Sequence, residues 1–271
     1  MLAVLPFFFY NGSMKVNASF VEDRRIQIVE YVEEHGKATV PDLVDFFSVS
    51  SATIRNDLKD LNRAKLLIRT HGGAIKKSQT GFELRSKQKT GQNEQAKKEI
   101  ARIALDLIED GDTILLDSGT TTLKLAESLA IRRNISVITN SLIIALILEE
   151  AESIQVFLMG GFLRTGFQCT VGIAGRTAME GLTVDKAFMG VNGISLGKGA
   201  SVPDVNHAEI KKTMIRIAKQ VILLCDGTKF GKDSFANFAG LEDIDLIITD
   251  SIHPDLRRQF EDNEIEVTSA K

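Results

Sequence analysis

The chain has 271 residues, which is enough for about two domains, and 44% of them are hydrophobic and 25% are charged. This composition is typical of a folded globular protein and excludes extensive disorder, while the net charge of -3 by itself indicates no polyanionic partner. The two cysteines, Cys169 and Cys225, and the four histidines show neither the spacing of a disulfide framework nor that of a metal site. We therefore expect a protein of the reducing cytoplasm that needs neither a metal nor a cofactor.

The N-terminal stretch, residues 1–10 (MLAVLPFFFY), is apolar but too short to span a bilayer. It also lacks the positively charged start and the small-residue cleavage site of a signal peptide. We expect residues 1–20 to be either a disordered leader or the result of a start codon placed too early, with Met14 as the true start. No membrane partner is expected.

Three helices are predicted in the segment that follows. Apolar residues at helical spacing predict the first helix over residues 21–35, and Gly36 stands where a helix ends. Thr39 would cap a second, short helix with Pro41 in its first turn, and a third helix begins after Ser50. A helix, a short helix, a tight turn and a further helix together make a helix-turn-helix motif.

The third helix, within VSSATIRNDLKDL (residues 49–61), has two distinct faces. Ile54, Leu58 and Leu61 fall on one side and would dock on a core. The other side carries amide, hydroxyl and cationic groups, which pair with base edges in a DNA groove or with phosphates. The candidate DNA contacts on this helix are Ser50, Ser51, Thr53, Arg55, Asn56, Lys59 and Arg63. The alternative is an ordinary surface helix with solvated charges.

A β-hairpin is predicted directly after the third helix. Residues 66–70 have strand character, and Gly72 and Gly73 supply a turn before a return strand. A hairpin in this position would be the wing of a winged helix-turn-helix domain with the bounds 21–76. Arg69 and His71 lie at its edge and are further candidate DNA contacts, with solvated hairpin residues as the alternative.

Positive charge is concentrated in and after this domain. Residues 50–98 include twelve Lys and Arg against four Asp and Glu, a net of +8. A basic block in an acidic protein favours a polyanionic partner, here double-stranded operator DNA. Residues 77–93 (KSQTGFELRSKQKTGQN) are polar, basic and weakly periodic, and we interpret them as a linker in which Phe82 and Leu84 could contact a neighbouring surface.

Helical stretches alternate with short apolar runs over residues 94–271. This alternation predicts an α/β domain with a mostly parallel sheet wrapped by helices. The predicted strands are residues 113–116, 136–138, 155–158, 187–191, 221–225 and 246–248.

Polar residues cluster after these strands, at the end of a parallel sheet where ligands bind. After the first strand, DSGTTT (residues 117–122) leads directly into a helix, whose free N–H groups and three hydroxyls would form a cradle suited to a phosphate. The predicted effector contacts are Asp117, Ser118, Gly119, Thr120, Thr121, Thr122, Thr139, Asn140, Gly160, Gly161, Arg164, Asn192, Glu209, Lys211, Asp226 and Lys229. The alternative for each is a helix cap, a loop residue or a solvated charge.

Residues 24–74 resemble the DNA-binding domain of the DeoR family of bacterial sugar-metabolism regulators. The resemblance rests on the combination of VSxxTIRxDLxxL in the third helix with RTHGGA in the wing. Two departures are visible. Asn56 stands where the family usually has a second arginine, on the side that would read operator bases, and Lys65 stands where the family usually has a glycine, in the turn before the wing.

The C-terminal half is similar to the sensor domain of the same family, which resembles ribose-5-phosphate isomerase and the glucosamine-6-phosphate deaminase-like fold. DSGTTT, TN, GG and DxxKFG stand in the expected order and spacing. The resemblance implies a repressor that a phosphorylated sugar releases, or sometimes activates. It implies that residues 117–122 and Lys229 hold the phosphate, and the residues it implies for the sugar are Asn192, Glu209, Lys211 and Asp226. Gly227 and Thr228 depart from the family, which more often has a His or Ser beside a Ser.

Three functions are weighed against one another. The first is a transcription factor, working as a homodimer or homotetramer, that a sugar phosphate controls. The second is a sugar-phosphate isomerase or deaminase-like enzyme with a DNA-binding appendage, in which Glu209 or Asp117 would be the base. The third is a DNA-binding or scaffold protein whose α/β half only dimerises. We favour the first, a regulator and not an enzyme, and expect no catalytic residues.

Overall fold

The structure is a computed structural model that describes residues 21–76, 83–84, 86–89 and 91–270. Packing of the Cα trace divides the chain into two compact units, Met1–Ser78 and Gln79–Lys271. The expected leader, residues 1–20, lies outside the described residues, and so does Phe82.

The first unit contains three helices and a small antiparallel sheet. The helices are α1 (Val21–His35), α2 (Val40–Phe47) and α3 (Ser51–Arg63). The strands are β1 (Lys37–Thr39), β2 (Ile68–Arg69) and β3 (Gly73–Ile75), in the order β1-β3-β2. The predicted helix-turn-helix and its wing are therefore confirmed.

Side-chain caps fix where α2 and α3 begin. Thr39 Oγ1 accepts a hydrogen bond from Asp42 N (3.2 Å) and Asp42 Oδ2 accepts one from Thr39 N (2.9 Å), which together form a capping box. Ser48 follows α2 with a left-handed φ of 52° and turns the chain. Ser50 Oγ then accepts a hydrogen bond from Thr53 N (3.1 Å) and caps α3. These local contacts set the tight turn between the two helices.

Strand β1 is not predicted from the sequence, because three residues carry no periodic signal. It forms because β3 pairs with it, with Ala38 opposite Ala74. Gly73 permits this pairing, since a Cβ at that position would collide with the carbonyl oxygen of Ala38. The sheet therefore joins the wing to the start of α2.

The second unit is built on seven parallel strands and two smaller antiparallel sheets. In chain order the strands are β4 (Thr113–Leu116), β5 (Ile135–Thr139), β6 (Ile154–Leu158), β7 (Phe162–Arg164), β8 (Cys169–Val171), β9 (Val184–Gly190), β10 (Gly193–Ser195), β11 (Gly199–Val202), β12 (Ala218–Leu224), β13 (Ala236–Ala239), β14 (Leu246–Thr249) and β15 (Glu266–Ser269). The helices are α4 (Ser86–Lys89), α5 (Glu94–Asp106), α6 (Thr120–Ser128), α7 (Leu142–Glu149), α8 (Ile173–Thr177), α9 (Val205–Arg216) and α10 (Pro254–Glu261).

The order of the central sheet is β15-β14-β12-β9-β4-β5-β6, and each neighbouring pair is parallel. The chain runs from β4 outward to β6, returns to β9 on the other side of β4, and continues outward to β15. The direction of winding thus reverses between β4 and β9, which is where parallel α/β sheets open a ligand crevice. All six predicted strands lie in this sheet, whereas β15 was not predicted because only Val267 in it is buried.

Apolar clusters cover both faces of the central sheet. Successive residues of β4 alternate between them: Leu115 packs in the cluster that includes α9, while Ile114 and Leu116 pack in the cluster that includes α5 and α6. Burial on both faces explains why the strands are continuous apolar runs in the sequence. Cys169 and Cys225 are both buried and do not form a disulfide.

Among the residues that the structure describes, no helix is both long enough and apolar enough to cross a membrane. The same residues contain no cluster of His, Cys, Asp or Glu side chains that could hold a metal ion.

Part of the segment that we interpret as a linker is held against the second unit. In α4, Ser86 donates hydrogen bonds from its backbone N to Gly166 O (3.0 Å) and from its Oγ to Phe167 O (2.9 Å), in the turn between β7 and β8. Leu84 is half-buried. The structure thus gives Ser86 specific partners that a polar, weakly periodic sequence does not predict.

A buried ion pair joins α1 to α3 in the first unit. Arg24 Nε and Arg25 Nε donate to the two carboxylate oxygens of Asp57, at 2.7 Å and 2.9 Å. Asp57 is only 2% exposed and lies on the face of α3 that also carries Leu58. Arg25 reaches Asp60 as well, at 2.5 Å, but the Asp60 side chain is 40% exposed.

We expect Asp57→Ala to lower the free energy of unfolding of the first unit by about 3–5 kcal/mol, because it leaves the buried Arg24 without its counter-charge. Asp60→Ala is the matched control and should cost about 0–1 kcal/mol, since its ion pair is exposed to solvent. Urea unfolding followed by circular dichroism measures both variants. Equal losses in the two would contradict the assignment of Asp57 as the link between α1 and α3.

Candidate functional site

The exposed face of α3 carries the polar side chains that the sequence analysis singled out. Ile54, Leu58 and Leu61 are buried in the core of the first unit. Most of the predicted DNA contacts on this helix are exposed, and Thr53 is half-buried beside the cap: the exposed residues are Ser50, Ser51, Arg55, Asn56, Lys59 and Arg63. The helix therefore presents one continuous surface of amide, hydroxyl and cationic groups.

Local contacts restrain the two ends of this surface. Near the start of α3, Arg55 Nη1 donates to Ser51 Oγ at 3.3 Å, which holds the guanidinium along the helix. At the far end, Asn62 Oδ1 accepts a hydrogen bond from the backbone N of Arg69 in the wing (2.9 Å). Arg69 and His71 are themselves exposed. The wing thus has a fixed position beside the end of the helix.

The residue that departs from the family pattern after α3 keeps the backbone a glycine would have. Leu66 N donates to Leu61 O (2.9 Å), which closes the last turn of the helix, and Lys65 has a left-handed φ of 61°. Glycine is the residue that adopts this conformation without a steric cost. Lys65 therefore changes the side chain at this turn but leaves its geometry intact.

In the second unit, a cavity of about 70 Å³ lies at the carboxyl ends of β4, β9 and β12, next to the point where the winding reverses. Strand-end loops, α9 and residues 83–97 all contribute to it. The lining residues are Glu83, Lys89, Gln92, Asn93, Lys97, Ser118, Gly119, Thr120, Thr121, Gly190, Val191, Asn192, His207, Lys211, Leu224, Cys225, Asp226 and Lys229.

A buried ion pair stands behind this cavity. Asp117 Oδ2 accepts hydrogen bonds from Lys211 Nζ and from Gly190 N (3.0 Å), and Lys211 Nζ also donates to Gly190 O (2.8 Å). Burial by itself raises the pKa of Asp117, but the charge of Lys211 and a hydrogen bond from His207 outweigh it and bring the pKa to about 2. Asp117 is therefore an ionised carboxylate that positions Lys211, and it does not line the cavity.

His207 lines the cavity and was not predicted from the sequence. Its Nε2 lies 3.2 Å from Ser118 Oγ and 3.6 Å from Asp117 Oδ1. Burial lowers its pKa, so the ring is neutral near pH 7. A nucleophilic triad would use both ring nitrogens, whereas here one nitrogen meets both neighbours. Nδ1 is buried and has no hydrogen-bond partner among the described residues. The available signal was its spacing, one helical turn before Lys211.

Lysine side chains crowd the mouth of the cavity. Lys97 Nζ donates to Lys89 O (2.9 Å) and Gln92 O (2.5 Å). Burial lowers the pKa of Lys97; Asp226 opposes this, but the charges of Lys229 and Lys89 add to it, and the pKa is about 8. Lys229 is partly exposed, with Nζ 3.8 Å from Asp226 Oδ2. Neighbouring cations repel one another and so lower one another's pKa. An anion that binds between them relieves this repulsion and is stabilised there.

Glu83 brings a carboxylate from the predicted linker into this cationic cluster. It pairs with Lys89 Nζ (2.7 Å) and Arg164 Nη2 (2.8 Å), and accepts a hydrogen bond from Asn192 Nδ2 (3.3 Å). Burial by itself raises the pKa of Glu83, but the charges of Lys89 and Arg164 have a larger, opposite effect and bring the pKa down to about 2. Lys89 and Lys97, both counted in the basic block after the first domain, thus line this cavity instead of a DNA surface.

Several predicted effector contacts are used inside the protein. Thr139 Oγ1 accepts from Ser141 N (3.0 Å), and Asn140 Nδ2 donates to Thr170 O (2.9 Å), so both residues brace the loop after β5. Thr122 is buried and donates to Gly119 O (3.1 Å), which closes the first turn of α6. None of these three residues, which the structure describes in full, lines the cavity.

Other predicted contacts also lie away from the cavity lining. Gly160 and Gly161 lead into β7, where a Cβ on Gly161 (φ 139°) would lie 2.5 Å from Val171 O. Arg164 acts through Glu83. Glu209 follows His207 by two residues, which turns it about 200° around α9. Its side chain is 40% exposed and pairs with Lys212 at 2.9 Å.

Eight of the predicted effector residues line the cavity, and two more, Asp117 and Arg164, stand directly behind it. Gly119 is the N-cap of α6 and makes no side-chain cap, so the first N–H groups of the helix are left for another partner. The ten are Asp117, Ser118, Gly119, Thr120, Thr121, Asn192, Lys211, Asp226 and Lys229, which the structure groups here, with Arg164 behind Glu83.

Comparison with known families accounts for both units. The model of the DeoR-like helix-turn-helix domain matches residues 24–80, and the model of the DeoR C terminal sensor domain matches residues 92–251.

Similar full-length proteins occur in bacteria and archaea. The uncharacterized HTH-type transcriptional regulator FruR of Bacillus subtilis (strain 168) is 36% identical over 231 residues, 84% of this chain and 91% of that protein. The HTH-type transcriptional regulator GlpR of Haloferax volcanii is 36% identical over 240 residues, 88% of this chain and 94% of that protein. The HTH-type transcriptional repressor GlcR of Bacillus subtilis (strain 168) is 36% identical over 235 residues, 86% and 90% of the two chains.

Solved structures give a weaker likeness. Ribose 5-phosphate isomerase A of Methanocaldococcus jannaschii overlaps 51% of this chain and 55% of its own, with 19% identity and a TM-score of 0.39, too low to bear on the fold. The two family matches and the relatives at 36% identity show that the chain belongs to the DeoR family of transcriptional regulators.

Proposed function

We propose that this DNA-binding regulator is a repressor whose second unit binds a phosphorylated sugar in the cavity described above. The observation that carries the proposal is the charge around that cavity. Five cationic side chains face three carboxylates, which leaves a net of +2: the cations are Lys89, Lys97, Arg164, Lys211 and Lys229, and the carboxylates are Glu83, Asp117 and Asp226. A phosphate monoester carries about -1.5 to -2 at neutral pH, which balances this excess.

The two ends of the cavity suit the two ends of such a ligand. Lys97, Lys229 and the uncapped N-terminus of α6 would hold the phosphoryl group, because they combine charge with free N–H groups. Asn192 and the unpartnered Nδ1 of the neutral His207 would meet sugar hydroxyls. Asp226 Oδ1 accepts from Thr228 N (3.1 Å), which fixes the carboxylate beside Lys229.

The family relatives support the sign of regulation. GlcR of Bacillus subtilis is named a transcriptional repressor, and a relative in Escherichia coli O157:H7, 32% identical over 242 residues, is named a putative aga operon transcriptional repressor. The exposed face of α3 with Arg69 and His71 in the wing would then bind operator DNA. Such a regulator acts where the chromosome is, which fits the expected cytoplasmic location.

Operator binding by a helix-turn-helix protein usually pairs two copies with two half-sites. We therefore infer at least a homodimer. The edge of the central sheet at β6 offers a surface for a second copy, because Phe157 is 44% exposed and Phe162, on the adjoining β7, is 79% exposed.

The two carboxylates considered as the base of an enzyme do not line the cavity. Asp117 is buried behind it, with its Oδ2 bound to Lys211 and Gly190, and Glu209 faces away from the cavity in a pair with Lys212. Neither carboxylate is placed to take a proton from a bound sugar. The membership of the chain in a family of regulators agrees with this geometry.

A sugar phosphate should raise the melting temperature of the protein, because it binds the folded state alone; at 100 times its Kd the added stability is about 2.7 kcal/mol. Lys229→Met should abolish most of this shift, since it removes a cation from the phosphate end. Glu209→Gln is the matched control and should leave the shift intact. Differential scanning calorimetry with a panel of sugar phosphates makes the measurement. The proposal is wrong if no compound in the panel stabilises the unmodified protein.

The affinity for sulfate, an anion that stays doubly charged over this range, should fall as the pH rises through about 8. Bound anion favours charged Lys97, whose pKa of about 8 reflects burial, Lys229 and Lys89 against the attraction of Asp226 and Glu94. Above that pH the affinity should drop about tenfold per pH unit, because one proton must be taken up on binding. Lys97→Met should remove the pH dependence. Isothermal titration at pH 7 to 9 would show a pH-independent Kd in the original protein if Lys97 plays no part.

Lys59→Ala should weaken binding to all DNA sequences about equally. It should also reduce the slope of log affinity against log salt concentration by about 1, as expected for the loss of a phosphate contact. Asn56→Ala should cost ~1–3 kcal/mol and relax specificity at one base pair, as expected for a base contact. Gel-shift titrations at several salt concentrations on single-base operator variants separate the two effects. The opposite pattern would exchange the roles of these residues.

A further inference from the structure

We propose that Glu83 is an internal anion that partly neutralises the cationic cavity when no effector is bound, and that an effector carrying a phosphoryl group displaces it. The inference rests on the proposed function of the same cavity. It goes further by naming the side chain of the cavity lining that must move when the effector binds.

The partners of Glu83 are chemical groups of the kinds that also bind phosphate. Its carboxylate oxygens meet an ammonium group (Lys89, 2.7 Å), a guanidinium group (Arg164, 2.8 Å) and a side-chain amide (Asn192, 3.3 Å). Phosphate and carboxylate are recognised by the same charge-assisted hydrogen bonds from Lys and Arg. The Glu83 side chain is 6% exposed, so it occupies the site as a buried ligand does.

The cavity is too small to admit a sugar phosphate without a change. Its volume of about 70 Å³ holds roughly five water molecules. A bound phosphoryl group near Lys89 would also stand beside the Glu83 carboxylate, and two like charges that share one cation repel each other. Some of the lining residues must therefore move when the ligand binds.

The segment that carries Glu83 lies outside the central sheet. Helix α4 has four residues; Ser86 N donates to Gly166 O and Ser86 Oγ to Phe167 O, and Lys89 O accepts from Lys97 Nζ and Gln92 N. The other lining elements, such as β4, β9 and β12, are central strands of the sheet. Local opening follows the least buried and least bonded segment.

Inorganic phosphate binding to Glu83→Gln tests the competition. The variant keeps the shape of the side chain but loses its charge, so we expect phosphate to bind about tenfold more tightly than to the original protein by isothermal titration. Glu99→Gln is the matched control: Glu99 lies on α5, accepts a hydrogen bond from Gln95 and does not line the cavity, so its affinity should be unchanged. Weaker binding by Glu83→Gln would overturn the inference, because Glu83 would then position Lys89 for the ligand.

Amide hydrogen exchange tests the displacement in the original protein. Saturating phosphate, and separately ribose 5-phosphate, should speed exchange of the Ser86 amide at least tenfold, because its bond to Gly166 O is lost, while amides in β12 stay protected. Unchanged exchange at Ser86 with phosphate bound would overturn the inference and leave the proposed function standing. If neither compound and no sugar phosphate of the panel binds the original protein or Glu83→Gln, the proposed function fails and the inference fails with it.

Discussion

The pair formed by Asp117 and Lys211 is the contact on which the second unit depends. It joins the end of β4 to α9 across the point where the sheet reverses its winding, and both partners also bind Gly190 at the end of β9. Removal of one partner from a buried pair costs about 3–5 kcal/mol, since the other charge is left unsolvated. The pair therefore holds two strand ends and α9 together beside the start of α6.

Because Asp117 neutralises Lys211, the remaining positive charge at the cavity comes from other side chains. Lys89, Lys97 and Lys229 converge from three different segments, and burial together with the charges of Lys229 and Lys89 lowers the pKa of Lys97. Glu83 offsets part of that repulsion from within the chain. Carboxylates of the chain itself thus balance part of the positive charge in the cavity. A ligand that carries more negative charge than Glu83 would balance more of it in the place of Glu83.

The first unit follows a different principle. The core of α1, α2 and α3 buries one face of α3, and the Asp57 pair with Arg24 and Arg25 fixes its orientation on α1. The opposite face makes few internal bonds and carries exposed amide and cationic groups. The buried core face and the exposed polar face therefore lie on opposite sides of one helix, so the exposed residues can vary while the core stays the same.

The sequence by itself determined the local elements. Caps at Thr39 and Ser50, the apolar period of α3 and the continuous apolar runs of six parallel strands depend on neighbours in the chain, and each was predicted. The position of Ser118, Gly119 and Thr120 at the start of α6 was also predictable, because it follows from neighbours in the chain.

The tertiary structure alone decided which of these polar residues meet. Asp117 and Lys211 are 94 residues apart in sequence, and their pairing follows from the packing of α9 on β9, the strand that lies next to β4. The position of Glu209 on α9 was decided by the helix face that packs on the sheet, which turned His207 inward in its place. Glu83 and Lys89 come from a segment with no apolar period, so only the surface that receives them gives them a position. A sequence encodes contacts between neighbours directly, whereas contacts across a parallel sheet depend on strand order, which the apolar pattern does not specify.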